Sequence, residues 1–401
     1  MIAPTSFFAD YGCHVRILEE IRALTRRGHV IRVVTYHNGE SPPGIDVRRT
    51  PDIPWRKREI VGSSRHKLYL DVMLFFVALW NALRFRPDII HAHLHEGALI
   101  GGVIGRALRR PVVFDYQGSL TEEMLDHHFI PRGGLRERLM RRIERVIDRL
   151  PQVIVPSGSA AEQFLKKRGG RPRRVEVIAD AVDPERFDPE RVREAAAETR
   201  RRLGIPADAP VVVYLGLLAE YQGTPLLLEA AGMLLARRPE LYFIIAGYPG
   251  ADAYAAQAAA LGVNGHVLFP GRIPYEDAPA LLAAGNVAVA PKHSRTEGNG
   301  KLFNYMAMEL PTAAIDTSAN RRILGDLGHY AAPHDATDLA AAIAAAFNDT
   351  AVERGALRHR VVSDYSWSRQ AQRLEAIYDA SLSGAKQPAR EAVSPRLPAK
   401  D

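Results

Sequence analysis

The stretch at residues 294–308 brings together an acidic side chain, a tight glycine turn and a lysine, residue types that suit a bound phosphate or sugar. It places Glu297, Gly298 and Gly300 just ahead of an abrupt helix start near Lys301. A helix that begins behind two glycines presents free backbone N–H groups and the positive end of its dipole. The pattern therefore predicts a site for a phosphate or a polar sugar, and the alternative is a surface glutamate that caps a plain turn.

Two apolar runs flank this stretch and indicate which elements position it. Residues 286–291 before it and 310–316 after it each have the length of a buried strand. The order strand, glycine loop, helix, strand is that of open parallel sheets, which bind ligands beyond the carboxyl ends of their strands. We therefore expect the loop to lie at a sheet edge that faces a cleft.

A second group of chemically active side chains is the alternating series His91, His93 and His95, followed by Glu96. On a strand, this spacing would put all three imidazoles on one face, as a metal site requires. A strand end at a cleft, with one histidine near a ligand and the others hydrogen-bonded, explains the series equally simply. We expect the second arrangement, with His93 at the reacting site and no metal.

Composition limits the class of protein. The chain has 401 residues, of which 47% are hydrophobic and 25% charged, as in soluble proteins of two or more domains. Its one cysteine, Cys13, cannot form an internal disulfide, so nothing indicates an oxidising compartment. The longest apolar run, 72–80, is well short of the about 18 residues that span a bilayer. We expect a cytoplasmic protein.

The formal net charge of +7 is carried by the first half of the chain. Three basic runs dominate it, at residues 55–58, 132–149 and 166–168. Such runs are either solvated helix faces or contacts with anionic lipid headgroups or an anionic acceptor. Nucleic acid is disfavoured because no nucleic-acid module or interleaved aromatic residues accompany the arginines. At most, these basic runs predict that the protein makes peripheral contact with the anionic inner face of a membrane.

Strands and helices alternate along both halves of the chain. In the first half, strands are predicted at 2–4, 30–35, 87–91, 111–115, 153–156 and 175–178, with helices at 13–27, 68–83, 97–108, 135–150 and 159–168. In the second, strands are predicted at 211–216, 241–246 and 266–269, with helices at 225–236, 253–261, 336–347 and 365–383. The alternation predicts an α/β protein with two doubly wound, Rossmann-like domains that face each other across a cleft.

Polar, proline-bearing sequence at 183–199 breaks this alternation and predicts a domain boundary near residue 190. We expect an N-terminal Rossmann-like domain at 1–190, a C-terminal Rossmann-like domain at 191–364 and a closing helix at 365–383. Residues 384–401 lack periodicity and are predicted to be disordered. The first strand is unusually short, so we expect the natural chain to begin upstream of Met1.

Taken together, the motifs resemble those of the retaining glycosyltransferases of family 4, which have the GT-B fold. The resemblance covers residues 1–383 and rests on Gly12-Cys13-His14-Val15, Arg27-Gly28-His29-Val30, residues 87–93, residues 177–187, Tyr214-Leu215-Gly216, Gly223, Ile245-Ala246-Gly247, residues 297–307 and Tyr365-Ser366-Trp367. It implies a nucleotide-diphosphate sugar as co-substrate in the interdomain cleft, with no metal and no other cofactor. It also implies that the domain at 1–190 is the acceptor side, that the domain at 191–364 binds the donor, and that the closing helix crosses back to the first domain.

The resemblance assigns roles to individual residues. Glu297 would stabilise an oxocarbenium-like centre rather than act as a covalent nucleophile, while the leaving phosphate helps as base. Gly12 is the first-domain residue expected to approach the donor phosphates. The implied catalytic residues are Glu297, Gln117 and His93, and the implied donor-binding residues are Gly12, Gly216, Gln222, Gly298, Asn299, Gly300, Lys301, Leu302 and Asn304.

Four site positions depart from the family pattern. The family usually holds the diphosphate with an Arg and a Lys, which are replaced here by Leu217 and Gln222. Lys301 is the favoured substitute cation, ahead of Lys292, Arg295, Arg321 and Arg322. The usual ribose-binding glutamate is Asn304, and Gln117 stands where a histidine is expected.

The resemblance implies a metal-independent, retaining hexosyltransferase acting on a glycan, lipid-linked or small hydroxylated acceptor. Two other functions stay open. A nucleotide-sugar 2-epimerase shares the architecture, and a catalytically silent sugar-nucleotide-binding homologue would explain the two missing cations.

Overall fold

Two parallel sheets of six strands each form the framework of the computed structural model, which describes residues 1–10, 12–52, 67–126, 129–169, 174–292 and 299–383. The first sheet has the order β3-β2-β1-β4-β5-β6 and contains β1 (Ile2–Ala3), β2 (Arg32–Thr35), β3 (Asp46–Arg49), β4 (Ile90–His93), β5 (Val112–Tyr116) and β6 (Val153–Pro156). The reversal of strand order between β1 and β4 opens a crevice at the carboxyl ends of these strands, where α/β sheets bind ligands.

Helices follow all strands of this sheet except β2, which is joined to β3 by residues 36–45. They are α1 (Gly12–Arg26), α2 (Lys67–Phe85), α3 (Leu94–Leu108), α4 (Leu120–Asp126), α5 (Leu135–Ile147) and α6 (Ser159–Lys167). Strands β4, β5 and β6 are buried along their whole length. Burial on both faces explains the continuous apolar run of β6, whereas β4 and β5 also bury His91, His93 and Asp115.

The second sheet repeats the theme with the order β12-β11-β10-β7-β8-β9. After α7 (Arg193–Arg202), its elements are β7 (Val211–Leu215), α8 (Thr224–Leu235), β8 (Tyr242–Ala246), α9 (Ala251–Ala260), β9 (Val267–Leu268), α10 (Ala278–Ala283), β10 (Val287–Ala290), α11 (Lys301–Ala307), β11 (Thr312–Ile315), α12 (Ser318–Leu324), β12 (Gly328–Ala331), α13 (Ala336–Ala346) and α14 (Ala351–Asp364). The two doubly wound sheets confirm the predicted fold class.

The closing helix α15 (Trp367–Leu382) lies against α1 and so returns to the first sheet. The Trp367 amide donates to the Val182 carbonyl at 3.0 Å, where the chain enters the helix. Farther along, the Tyr378 hydroxyl lies 2.5 Å from His91 Nδ1. These contacts tie the end of the described chain to the first sheet.

Several elements differ from the sequence prediction, which also lacks the helices α4, α10, α12 and α14. Residues 175–178 run beside β6, but only Val175 completes a bridge, with Ile154, so the predicted strand does not form. Helix α7 lies in the segment that was predicted to break the alternation. The prediction missed this helix because its charged sequence buries only Ala196 and Thr199 and shows no apolar periodicity. Strands β3 and β12 are polar and lie at sheet edges, so they lack the apolar run that identified the other strands.

Candidate functional site

A cavity of about 420 Å³ lies between the two sheets and takes side chains from both halves of the chain. Eight of the predicted site residues line it: Gly12, Gln117, Gly216, Gln222, Asn299, Gly300, Lys301 and Asn304. Glu297 and Gly298 lie outside the described residues, as does Arg295. The loops that follow parallel strands therefore converge on one cleft, as their topology requires.

Lys301 is the central cation on the second-sheet side. Its Nζ donates to the Tyr214 hydroxyl at 3.1 Å and to Gln222 Oε1 at 3.3 Å, and it lies 4.2 Å from the centre of the Tyr214 ring. Burial lowers the pKa of the ammonium well below its ordinary value, and the charge of Lys292 lowers it further. Both hydrogen-bond partners are neutral, so neither of them offsets the charge of the ammonium.

Gly216 allows Lys301 to reach this position. A Cβ at Gly216 would lie only 2.8 Å from Lys301 Nζ and 3.1 Å from the Tyr214 hydroxyl. The Tyr214 hydroxyl in turn donates to the Leu217 carbonyl at 2.7 Å. Lys301 therefore contacts or adjoins both positions, Leu217 and Gln222, where the family pattern leads us to expect cations.

Asn299 is buried beside the same wall. Its Nδ2 donates to Asn320 Oδ1 at 3.1 Å, and Asn320 is held by the Ile315 carbonyl at 2.8 Å. Among the described residues, Asn299 Oδ1 has no hydrogen-bond partner. This amide is thus fixed in position with an acceptor oxygen unused.

Asp115 organises the first-sheet side. It is the last residue but one of β5, is fully buried, and accepts from Arg16 Nη2 at 2.7 Å, His93 Nδ1 at 3.0 Å and Gln117 Nε2 at 2.7 Å. Burial alone would raise the pKa of this carboxyl, but the Arg16 charge and the His93 hydrogen bond outweigh it and hold the pKa well below its usual range. Asp115 stays ionised and fixes the Gln117 amide at the cavity wall.

Arg16 extends this network to the other side of the cleft. Its Nη1 donates to Asp180 Oδ1 at 2.8 Å, and a Cβ at Gly300 would lie 3.9 Å from Asp180 Oδ2. Sequence analysis missed Arg16 and Asp180. The available signal for Arg16 was its place between the apolar residues Val15 and Ile17, because a buried arginine requires a carboxylate partner.

The three histidines do not share one face. Strand β4 ends at His93, and His95 lies in the first turn of α3. His91 and His93 stack with ring centroids 4.7 Å apart, whereas His95 packs against Phe114 and Tyr116. His93 is fully buried behind Asp115, and it is His95 that lines the cavity, so His93 can act only through Asp115.

One group with metal-ligand chemistry occurs among the described residues, at Glu20, His91, His93 and Asp115. Arg16 lies within the group, 3.1 Å from Glu20 and 2.7 Å from Asp115. The Asp115 oxygens already accept from three side chains, and a guanidinium repels a cation. The group therefore fits an ion-pair network better than a metal centre.

Leu302, which was predicted to bind the donor, belongs to the hydrophobic core instead. Its side chain is fully buried, and its amide donates to the Asn299 carbonyl at 3.0 Å. In a helix one side chain in three or four faces the core, so its neighbour Lys301 faces the cleft. Of the other proposed cations, Lys292 lines the cavity, whereas Arg321 pairs with Asp316 on the exposed surface.

The fold and the interdomain cleft are those of the GT-B glycosyltransferases. Sucrose-phosphate synthase from Thermosynechococcus elongatus superposes with a TM-score of 0.76 at 18% identity, over 96% of this chain and 98% of that one. HepE from Anabaena, solved in complex with UDP and glucose, gives a TM-score of 0.74 at 17% identity, over 94% and 98%.

The sequence comparisons identify the family. The Glycosyltransferase Family 4 model matches residues 12–186, and the model for glycosyl transferases group 1 matches residues 196–363. The D-inositol 3-phosphate glycosyltransferase of Thermobispora bispora is 26% identical, over 92% of this chain and 90% of its own length. That of Geodermatophilus obscurus is 27% identical, over 92% and 85%. The chain belongs to the family 4 glycosyltransferases.

Proposed function

We propose that this glycosyltransferase moves a hexosyl unit from a nucleotide-diphosphate sugar to a hydroxyl of its acceptor, with retention and without a metal. The observation that carries the proposal is the Lys301 ammonium, which lies against Gly216 and Gln222 at the cavity wall. A diphosphate is the part of such a donor that requires a cation.

The surroundings of Lys301 support a phosphate ligand. Its pKa is lowered by burial and by the Lys292 charge, and its hydrogen-bond partners are neutral. A bound diphosphate would raise that pKa again, because a nearby negative charge favours the protonated form. A charge-assisted hydrogen bond contributes about 1.5–3 kcal/mol. Lys301 can therefore replace part of the donor-binding free energy that is lost because Leu217 and Gln222 stand where the family has Arg and Lys.

The remaining donor contacts are proposed for Gly12, Gly216, Gln222, Gly298, Asn299, Gly300 and Asn304. Asn304 lines the cavity at the position of the usual ribose-binding glutamate, and an amide can still hydrogen-bond a hydroxyl. The complex of HepE with UDP and glucose suggests uridine diphosphate sugars as the first donors to test.

We propose that the acceptor is a glycan, a lipid-linked or a small hydroxylated molecule, bound on the first-sheet side. Gln117 lines the cavity while its Nε2 is held by Asp115, so its amide oxygen keeps one orientation toward a reacting hydroxyl. The curated relatives are named as acting on D-inositol 3-phosphate, which makes that cyclitol phosphate one acceptor to include.

For the chemical step, we propose that Glu297 stabilises positive charge at the anomeric carbon while the leaving phosphate accepts the proton of the incoming hydroxyl. Attack on the face that the phosphate leaves gives retention. In this mechanism the new bond joins the acceptor oxygen to the anomeric carbon. The bond between that carbon and the phosphate oxygen breaks, and the nucleoside diphosphate leaves with its electron pair.

Location is part of the same proposal. We propose that the enzyme works in the cytoplasm, with a peripheral contact to the anionic inner face of the membrane. The basic runs of the first half support this contact, because lysines and arginines are attracted to anionic lipid surfaces.

A nucleotide-sugar panel tests the function. We expect one nucleotide sugar to raise the melting temperature, its sugar to be transferred in turnover assays, and NMR of the product to show the anomeric configuration of the donor. Binding without turnover on a broad acceptor panel would favour the silent homologue. Epimerisation of the donor without acceptor would favour the 2-epimerase, and no response to any nucleotide sugar would overturn the proposed donor class.

A further inference from the structure

Helix α2 exposes an apolar stripe that no described element covers. Leu68, Val72, Phe76, Trp80 and Leu83 recur every three or four residues, and between 53% and 75% of each side chain is exposed. Side chains at this spacing lie on one face of a helix. Large exposed apolar patches on a folded protein mark surfaces that bind a partner or a membrane.

The opposite face of α2 is packed into the protein. Leu70, Leu74 and Ala78 are buried in a cluster with the first sheet and with α3. Residues 68–85 are long and apolar enough to cross a bilayer by length and composition, yet α2 is anchored along one side. Helix α2 therefore lies at the protein surface, with one face buried in the protein and the other free to contact a partner or a membrane.

Two neighbouring helices continue the exposed stripe. Helix α3 packs against both α2 and α5 and exposes Leu99 and Val103. On α5, the exposed apolar residues Leu135, Leu139, Ile143 and Val146 again recur at helical spacing. We call the exposed apolar side chains of α2, α3 and α5 the apolar helical face.

Arginines accompany this face. Helix α5 carries five arginines and two glutamates, and one of the glutamates, Glu144, is buried. On α2, the Arg84 guanidinium lies 4.0 Å from the centre of the Trp80 ring. A tryptophan beside a basic side chain suits the boundary between acyl chains and headgroups. A second copy of this chain fits less well, because two such faces would bring the α5 arginines against each other.

The cavity opens beside this face. Tyr69 and Leu70 near the start of α2 line it, as do His95 and Glu96 in the first turn of α3. Both helices therefore begin at the mouth of the cavity and run away from it as part of the apolar helical face.

We propose that the apolar helical face seats the enzyme on an anionic bilayer, so that the acceptor side of the cavity receives a lipid-linked acceptor from that surface. This inference rests on the proposed glycosyl transfer and adds the surface that makes the membrane contact and the class of acceptor. Buried apolar area and attraction of the arginines to anionic headgroups would contribute together.

Vesicle flotation tests the surface in the full-length protein. We expect it to float with vesicles of phosphatidylglycerol and phosphatidylcholine at low salt, and far less with phosphatidylcholine alone. The double variant Phe76→Glu with Trp80→Glu should lower the partition coefficient at least tenfold, and Arg138→Gln with Arg142→Gln should remove the preference for anionic lipid. A control pair, Leu261→Glu with Val352→Glu, changes exposed residues of the second half and should float as the unchanged protein does.

UDP binding by calorimetry separates the membrane surface from the donor site. The surface variants should bind UDP as the unchanged protein does, since none of the substituted side chains lines the cavity. If Phe76→Glu with Trp80→Glu floats normally while UDP binding is intact, the surface is wrong. If sedimentation shows that the unchanged protein is a dimer and that this double variant is a monomer, the face binds a second copy of the chain instead. If the enzyme transfers the sugar to a water-soluble acceptor but not to the lipid-linked form of the same acceptor, the proposed lipid-linked acceptor is wrong.

Discussion

Arg16 and Asp115 form a buried ion pair in which the guanidinium holds the carboxylate through Nε at 3.0 Å and Nη2 at 2.7 Å. The same guanidinium reaches Asp180 at 2.8 Å, beside the loop that carries Gly300. Through Asp115 it also determines where Gln117 lies. One arginine of the first helix thus connects the acceptor side of the cleft to the donor side.

Removing this arginine should destabilise the protein strongly. We expect Arg16→Met to lower the free energy of unfolding by about 3–5 kcal/mol, because it leaves Asp115 as an uncompensated buried charge. Urea unfolding followed by fluorescence measures this, since the guanidinium lies 5.7 Å from the centre of the Trp367 ring. As a control, Arg193→Met breaks an exposed pair with Glu190 and should cost less than about 1 kcal/mol. Equal effects of the two substitutions would contradict the role assigned to Arg16.

Lys301→Ala should weaken binding of a nucleoside diphosphate by roughly tenfold to a hundredfold while leaving the free nucleoside almost unaffected, because only the phosphates feel the ammonium. Calorimetry with uridine, UDP and UDP-glucose separates the two effects. Adding Leu217→Arg and Gln222→Lys to Lys301→Ala should restore part of the lost affinity, because these positions adjoin the missing Nζ. Equal weakening of nucleoside and diphosphate would remove Lys301 from the phosphate site.

Glu297→Gln should lower turnover by about a thousandfold while donor binding stays within about tenfold, because a charge that acts on the transition state affects the rate rather than binding. Steady-state kinetics and donor titration on the same preparation measure both quantities. Retention of most activity would exclude Glu297 from the chemical step.

Stability should fall in mild acid because of His95. Burial, partly opposed by Glu144, lowers its pKa from 6.5 to about 4. Above pH 6.5 the imidazole is neutral in both the folded and the unfolded chain. Between pH 6.5 and 4 the unfolded chain binds a proton that the folded one does not, which costs up to roughly 3 kcal/mol of folding free energy.

Urea unfolding at pH 7 and pH 5 checks this dependence. The fall in unfolding free energy should be smaller in His95→Gln, which cannot titrate, and unchanged in the exposed variant His359→Gln. Burial also lowers the pKa values of His91 and His93, so part of the dependence should persist in His95→Gln. If the unfolding free energy falls equally between pH 7 and pH 5 in the unchanged protein and in both variants, His95 does not contribute to the pH dependence.

The sequence by itself determined the two parallel sheets and the loops that end them. Buried parallel strands are continuous apolar runs, so β6 (Val153–Pro156) is predicted to the residue and β7 (Val211–Leu215) to within one. The polar edge strands β3 and β12 and the charged helix α7 were missed, because their periodicity is weak. Residues that follow the carboxyl ends of strands, such as Gln117 and Gly216, were found because topology brings those ends together.

Only the tertiary structure decided which of these residues meet. Asp115 and Asp180 are separated from Arg16 by 99 and 164 residues, and nothing in their local sequences indicates the pairing. His95 rather than His93 reaches the cavity because β4 ends at His93 and helical geometry then turns the chain. The position of Lys301 Nζ at Gln222 likewise depends on how α11 packs against β10 and β11. Local patterns specify elements, whereas contacts between distant residues are fixed when those elements pack around a shared core.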